Sequence, residues 1–414
     1  MSFGNEIKTG NISENWLFDI FSNNSCLQFD GADDFVDCGS TDSSSGISLT
    51  SSNKISVVFW VQFLNDGTAD QIFASNMPTS NNYQGWWIRK DASTNAITFN
   101  WGDNTGTGSG NRETMTGSVA LSAGTWYGVA ITSDFSLTAS NTKIYTYNLS
   151  TGSITANTVT NSGTAGITTP TYGTGKAYFG RYGSTPDTSY GNFKIKTFAV
   201  WSGELDLTNL SAIVEGGLGK SWLNNFGNYT SASSLVGFWD FTKSSEVVQD
   251  VIGGLDGTIY EAKMIDFIPV AFSDVTNNNV FYRGAVLNKP SLRESIDLNS
   301  STSKNSNLSI TVSDFTYNGD GVSKELVNFS TEANKYLNQT LTAYISVNEQ
   351  QKIQVGQFRI DSIARDKDKI TISTVSFKPW DNIKFPQSKT TDENLYVPVT
   401  YGSYNGNGAS TISV

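Results

Sequence analysis

The chain has no histidine at any of its 414 positions. That removes His general bases, Ser-His and Cys-His nucleophile systems and imidazole-ligated metals together. Only two cysteines occur, Cys26 and Cys38, too few for a disulfide framework. Cations are scarce: 27 Lys and Arg against 38 Asp and Glu give a net charge of -11. A phosphate-backbone partner needs a basic footprint, so nucleic acid is not an expected partner. The longest apolar run, Ile55–Leu64, is interrupted by Ser56 and Gln62 and is far too short to span a bilayer. The N-terminal Met1–Glu6 lacks the basic and apolar regions of a signal peptide, so export through a cleaved signal is not expected.

What is abundant is Gly, Ser, Thr, Asn and aromatic residues, with few prolines. That composition suits many short strands joined by polar turns. The length predicts two or three domains, each able to bury a sizeable core. The stretch Cys26–Cys38 organises the rest: two short alternating runs flank a polar turn at Gly31–Asp34, which predicts a hairpin. In that register Leu27 and Phe29 share a face with Val36 and Cys38, while Cys26 points the other way. Two free thiols follow, one of them in the core; a slip of one residue would instead allow a single bridge. Such a hairpin cannot bury its face alone.

Strand signals follow at Ile55–Leu64, Gln71–Ala74, Gly85–Arg89, Ala96–Trp101, Thr125–Thr132, Lys143–Leu149, Lys176–Gly180 and Phe193–Trp201, the spacing of a β-sandwich. Ser150–Gly175, Thr-rich and poor in apolar residues, reads as a long surface excursion, and Trp101–Arg112 as a Gly-rich loop. One helix is predicted at 206–217, with Leu207, Leu210, Ile213 and Val214 on one face, Asp206 capping the start and Gly216 the end. Leu235–Phe241 and Gly257–Ile259 close this region near residue 263. Further strands are predicted at Gln339–Val347, Gln351–Ile363 and Lys369–Phe377, with one helical turn at Lys324–Val327 and a polar turn at Asp366–Asp368. The polar run 299–307 reads as a turn or strand edge. Upstream, Glu14–Phe21 is a strand-like aromatic run with nothing local to pack against, so a distant partner is predicted.

Leu27–Val36, Ile55–Val61, Gly124–Ile131, Gly191–Trp201 with Glu204-Leu205 and the helix after it, and Leu235–Phe241 with Asp250–Thr258, resemble in order the motifs of the laminin-G-like (concanavalin A-like) jelly-roll superfamily. Arg293–Leu298, Asn307–Ile310, Tyr336–Asn338 and Tyr396–Gly402, together with Glu14–Phe18, resemble a family of tailed-phage tail or baseplate structural proteins. The fold these resemblances imply is all-β: a jelly-roll sandwich at 23–264, inserted into a β-rich tail-type domain made of 1–22 and 265–414. The abrupt end in Gly406–Val414 suits the front part of a longer protein.

The function implied is that of a virion component in the tail, assembled in the host cytoplasm as an oligomer with other tail and baseplate proteins, whose sandwich binds a host-surface saccharide. Tyr83, Trp86, Trp87, Trp101, Tyr182 and Tyr190 are the candidate sugar-stacking rings, because an aromatic face packs on a sugar ring. Asn81, Asn82, Asn104 and Arg181 are their candidate polar partners. Alternation puts Trp86 and Trp87 on opposite faces, so at least one belongs to the core. Asp30, Asp33 and Asp34 in the turn, with Asp250 as a distant ligand, are candidate Ca²⁺ ligands, since hard cations take oxygen donors. Lys194 and Lys196 stand where the superfamily's closing strand usually carries an acid. Glycoside hydrolysis needs two carboxylates flanking the bond, and Glu113, Glu204 and Glu246 lie in separate segments, so no enzyme is expected. Two other readings remain: a structural decoration or subunit-contact domain, and a secreted bacterial adhesin.

Overall fold

The computed structural model describes residues 14–376, apart from 42–44, 49–53, 67–68, 77–83, 104–111, 136–140, 163–175, 184–188, 219, 245, 278–279, 291–294, 298–301, 305–306, 328–334 and 349–350. In chain order the strands are β1 (Glu14–Asp30), β2 (Phe35–Ser40), β3 (Lys54–Phe63), β4 (Gln71–Ser75), β5 (Gln84–Lys90), β6 (Ala96–Asp103), β7 (Arg112–Ala120), β8 (Trp126–Asp134) and β9 (Lys143–Asn148). Next come β10 (Ser153–Ala156), β11 (Thr160–Asn161), β12 (Lys176–Phe179), β13 (Asn192–Trp201), helix α1 (Leu207–Glu215), β14 (Leu235–Asp240), β15 (Val247–Val248) and β16 (Gly257–Tyr260). The remainder holds β17 (Lys263–Ala271), β18 (Val275–Asn277), β19 (Val280–Gly284), β20 (Ser295–Asp297), β21 (Thr302–Lys304), β22 (Ser309–Ser313), β23 (Thr316–Tyr317), β24 (Asp320–Gly321), the single turn α2 (Val322–Leu326), β25 (Thr340–Val347), β26 (Ile353–Asp366) and β27 (Lys369–Ser376).

These strands make an all-β fold built on a jelly-roll sandwich. One sheet runs β10-β9-β8-β3-β13-β1-β25-β26-β27-β22, with β14 also on β13 and β17 also on β1; the other runs β11-β7-β6-β5-β4-β12-β2-β16-β15. Between the sheets lies a core that includes Leu27, Phe29, Val36, Phe59, Phe73, Trp86, Phe179, Phe198 and Trp239. β3 shows why its sequence is apolar throughout. Ile55, Val57, Phe59, Val61 and Phe63 enter the core between the sheets, while Val58 and Trp60 pack on the opposite face against Leu210, Ile213 and Val214 of α1. Asp206 caps α1 by accepting from the Asn209 N–H. Leu207 departs from the expected apolar face: it is 49% exposed, and Asn209 is buried instead.

β1 is a single strand shared by two cores. Glu14–Ile20 pair with β25, Leu27–Asp30 pair with β13, and β17 runs along the other side of both halves. A bulge between Phe21 and Cys26 separates the two halves. Trp16, Phe18 and Ile20 enter a second core with Ile268, Val270, Ile310, Leu341, Ile360 and Ile372. This is the distant partner that the Glu14–Phe21 run lacks locally.

The predicted hairpin at Gly31–Asp34 is corrected. β1 pairs with β13 and β17, whereas β2 pairs with β12 and β16, so the turn carries the chain from one sheet to the other. Leu27 and Phe29 therefore meet Val36 and Cys38 across the core. Alternation puts the same residues inside for either geometry and does not distinguish them. Both cysteines are buried free thiols, and burial pushes the Cys26 thiol up to about 12. Two more departures follow from polar strands. β7 carries Thr, Glu and Gly and gives little apolar alternation, and β10 and β11 form within the expected surface excursion.

Candidate functional site

Among the described residues the candidate tryptophans do not form a sugar-binding surface. Trp86 and Trp101 are buried in the core between the sheets; Trp86 stacks parallel to Phe198, and its indole N–H donates to the Ile47 carbonyl at 2.6 Å. Trp101 packs on Phe135 at 4.2 Å. Trp87 is also buried, on the outer face of β5, where it meets Ile72 and the edge of Tyr182 and lies under the Arg89 guanidinium. Tyr190 pairs through its backbone with Arg181, whose guanidinium stacks on Phe35 and Tyr178. Tyr83, Asn81, Asn82 and Asn104 lie outside the described residues. Trp86, Trp87 and Trp101 are thus corrected from ligand-facing rings to packing residues.

The acidic turn is partly assembled. Asp30, Asp33 and Asp34 bring one carboxylate oxygen each to within 4.8 Å of one another. Two of them also close the turn: Asp34 accepts from the Asp30 N–H at 2.7 Å, and Asp30 accepts from the Ala32 N–H at 2.8 Å. Burial pushes the Asp34 carboxyl up to about 6; the Asp30 N–H bond opposes this, the charges of Asp30 and Asp33 add to it, and Lys263 lowers it. Asp250 does not belong here. It accepts from the N–H groups of Phe238, Ile252, Gly253 and Leu255 and organises its own turn. A hard cation fits the three turn carboxylates and not Asp250. Lys196 is buried and donates to the Asn23 carbonyl.

A groove of about 840 Å³ opens where the β15–β16 edge meets β17 and the β18–β19 hairpin. Tyr260 stands on one wall, 45% exposed, its ring stacked on Phe35 at 4.6 Å and 13°. Phe281 stands on the other, 52% exposed. Tyr317 lines the groove and donates its hydroxyl to the Phe267 carbonyl at 2.9 Å. Around the rings are the carboxylates of Glu246, Glu261 and Asp266, the amides of Asn318 and Gln351, and Lys263. Lys263 is also the cation that acts on Asp34, so the groove adjoins the acidic turn.

Sequence reasoning missed Tyr260 and Phe281. In β19 strand alternation sets Phe281 and Tyr282 on opposite faces, and Tyr282 is the buried one. Nothing local indicates that Phe281 lies across a groove from Tyr260.

No protein-family model matches this sequence, and no curated protein matches it significantly. Solved structures of similar strand arrangement exist. The CBM40 domain of the Ruminococcus gnavus IT-sialidase, bound to α2,3-sialyllactose, is 9% identical, with 46% of this chain and 98% of that one covered at a TM-score of 0.33. A native heptameric SAP-like pentraxin from Limulus polyphemus is 11% identical over 59% of this chain and 95% of its own, at 0.28. The enzymatically active domain of tailspike protein 2 of bacteriophage CBA120 is 12% identical over 53% of this chain and 34% of its own, at 0.35.

Proposed function

We propose that this protein is a non-catalytic saccharide-binding component of a phage tail or baseplate, and that the groove between Tyr260 and Phe281 is where the sugar binds. The observation that carries the reading is the pairing of two exposed aromatic rings with surrounding carboxylates and amides in one groove. Ring faces pack on the C–H faces of a sugar, and the polar groups bond its hydroxyls. The tail assignment rests on the sequence resemblance at Glu14–Phe18, Arg293–Leu298, Asn307–Ile310, Tyr336–Asn338 and Tyr396–Gly402. The protein then resides in the virion, assembled in the host cytoplasm with other tail proteins. Several copies per particle make modest single-site affinity sufficient.

The test is binding of the full chain to a panel of bacterial surface polysaccharides. Tyr260→Ala and Phe281→Ala are each expected to weaken binding by about tenfold, the equivalent of one ring contact. Because both rings are exposed, folding should survive. Binding that persists in the double variant would exclude the groove.

A divalent cation at Asp30, Asp33 and Asp34 belongs to the same reading. Calcium is expected to raise the melting temperature by mass action. The variant Asp33→Asn with Asp34→Asn keeps the turn's acceptor oxygens and should remove that rise; an unchanged rise would move the cation elsewhere.

One observation favours a second reading, that of a subunit contact. Ile353 and Val355 are exposed like Phe281, and Lys352, next in the chain to Ile353, donates through its N–H to Asn277 at the turn end of the β18–β19 hairpin. Loss of oligomers in Phe281→Ala with polysaccharide binding intact would support that reading over the first.

A further inference from the structure

A second cleft lies where the two cores meet, away from the groove. It encloses about 310 Å³ and is walled by four separate stretches: the β1 bulge, the middle of β13 with the end of β14 and the turn after it, the chain after α1, and the start of β25 with β26. Its charge is unlike that of the whole molecule. Lys220, Lys243 and Arg359 line it against a single carboxylate, Asp240, in a chain of net charge -11. Asp240 is already engaged by the Lys243 ammonium at 2.8 Å and by the Thr242 hydroxyl. Lys220 and Arg359 form no ion pair among the described residues; the Lys220 ammonium lies over the Phe226 ring, 4.4 Å from its centroid. The other polar walls are hydroxyls and amides, among them Ser22, Asn23 and Asn338.

Thr197 supplies an independent observation. It lines the same cleft, is 5% exposed, and its Oγ1 has no hydrogen-bond partner among the described residues. A buried hydroxyl left unpaired is destabilising, so such groups are normally satisfied by a partner. Two cations without an ion-pair partner among the described residues, several neutral donors and one unsatisfied hydroxyl around a small volume make a receptor for a compact anion.

We propose that this cleft binds a small oxyanion, a phosphate or a carboxylate, held by Arg359 and Lys220 with Thr197 and the neighbouring amides as donors. Arg359 is suited to a bidentate bond to either group. The anion would bridge β13 and β14 of the sandwich to β25 and β26 of the second core, so its binding stiffens the junction. The proposal is independent of the groove and of whether the groove takes a sugar.

The same chemistry has two sources, free phosphate and the acid group of a sugar, and the test separates them. The full chain is titrated at low ionic strength with inorganic phosphate and, separately, with glucuronate, reading the melting temperature and heat of binding. A saturable response is expected, weakened about tenfold by Arg359→Gln or Lys220→Gln, the loss of one charge-assisted bond. Lys289→Gln removes the same charge from an exposed position elsewhere and should leave the response unchanged. Response to phosphate alone assigns the site to phosphate, and response to glucuronate alone to a sugar carboxylate. No response to either, or equal loss in Lys289→Gln and Arg359→Gln, overturns the proposal.

Discussion

Replacing Lys352 by Met is expected to cost about 3–5 kcal/mol, the penalty for leaving one member of a buried ion pair without its partner. The Lys352 and Asp19 side chains are both fully buried, with Nζ 3.5 Å from the Asp19 carboxylate. The ammonium donates to the Tyr282 hydroxyl, which itself donates to Asp19 at 2.8 Å. It also lies over the Tyr344 ring at 4.0 Å and 3.9 Å from Glu246. Met fills much the same volume, so the loss is electrostatic: the buried Asp19 side chain is left without its cationic partner. With total stabilities of about 5–15 kcal/mol, that loss is a large share of the whole. Adding Asp19→Asn removes the orphaned charge and should recover most of it, because Asn still accepts from Tyr282. Urea midpoints of the two single variants and the double close the cycle. Additive losses would mean that the pair is not coupled.

Phe198→Ala is the second large effect, again about 3–5 kcal/mol, from lost burial plus the cavity left behind. Phe198 is fully buried at the middle of the sandwich. Five rings surround it, with centroids at 5.0 Å for Phe179, 5.8 Å for Trp239, 6.0 Å for Phe59, 6.2 Å for Phe73 and 6.3 Å for Trp86. These come from both sheets, so no single side chain can move to close the gap. Phe198→Leu should cost distinctly less, because it empties less volume. A thermal shift no larger than that of an exposed substitution such as Phe281→Leu would show that the core is loosely packed. Trp86 belongs to the same ring cluster, so Trp86→Ala should act on stability first, and any change it makes in ligand binding would follow from unfolding.

Much of this architecture was legible because alternation is a local signal. The runs at β3, β8 and β13 name their own buried faces, and the cap at Asp206 marks α1. What failed was non-local. Whether the turn at Gly31–Asp34 makes a hairpin or an arch depends on which strands compete for β1 and β2, and those are β13 and β12, far along the chain. β7 was hidden because its one large apolar core residue is Met115, set among Thr and Glu. The candidate site failed for a related reason. A tryptophan pair in a strand looks the same whether its outer ring meets solvent or is covered, and Arg89 and Tyr182 cover Trp87. The groove was not legible because Tyr260, Phe281 and Tyr317 come from three separate segments.

The single strand β1 has a mechanical consequence. Its two halves are hydrogen-bonded into two different cores, with only a bulge between them. A pull on the sandwich along that strand is therefore carried in shear, with many ladder bonds loaded at once and no linker to stretch first. A load applied to the sandwich would therefore reach the second core with little slack, and rupture would require whole ladders to give way together.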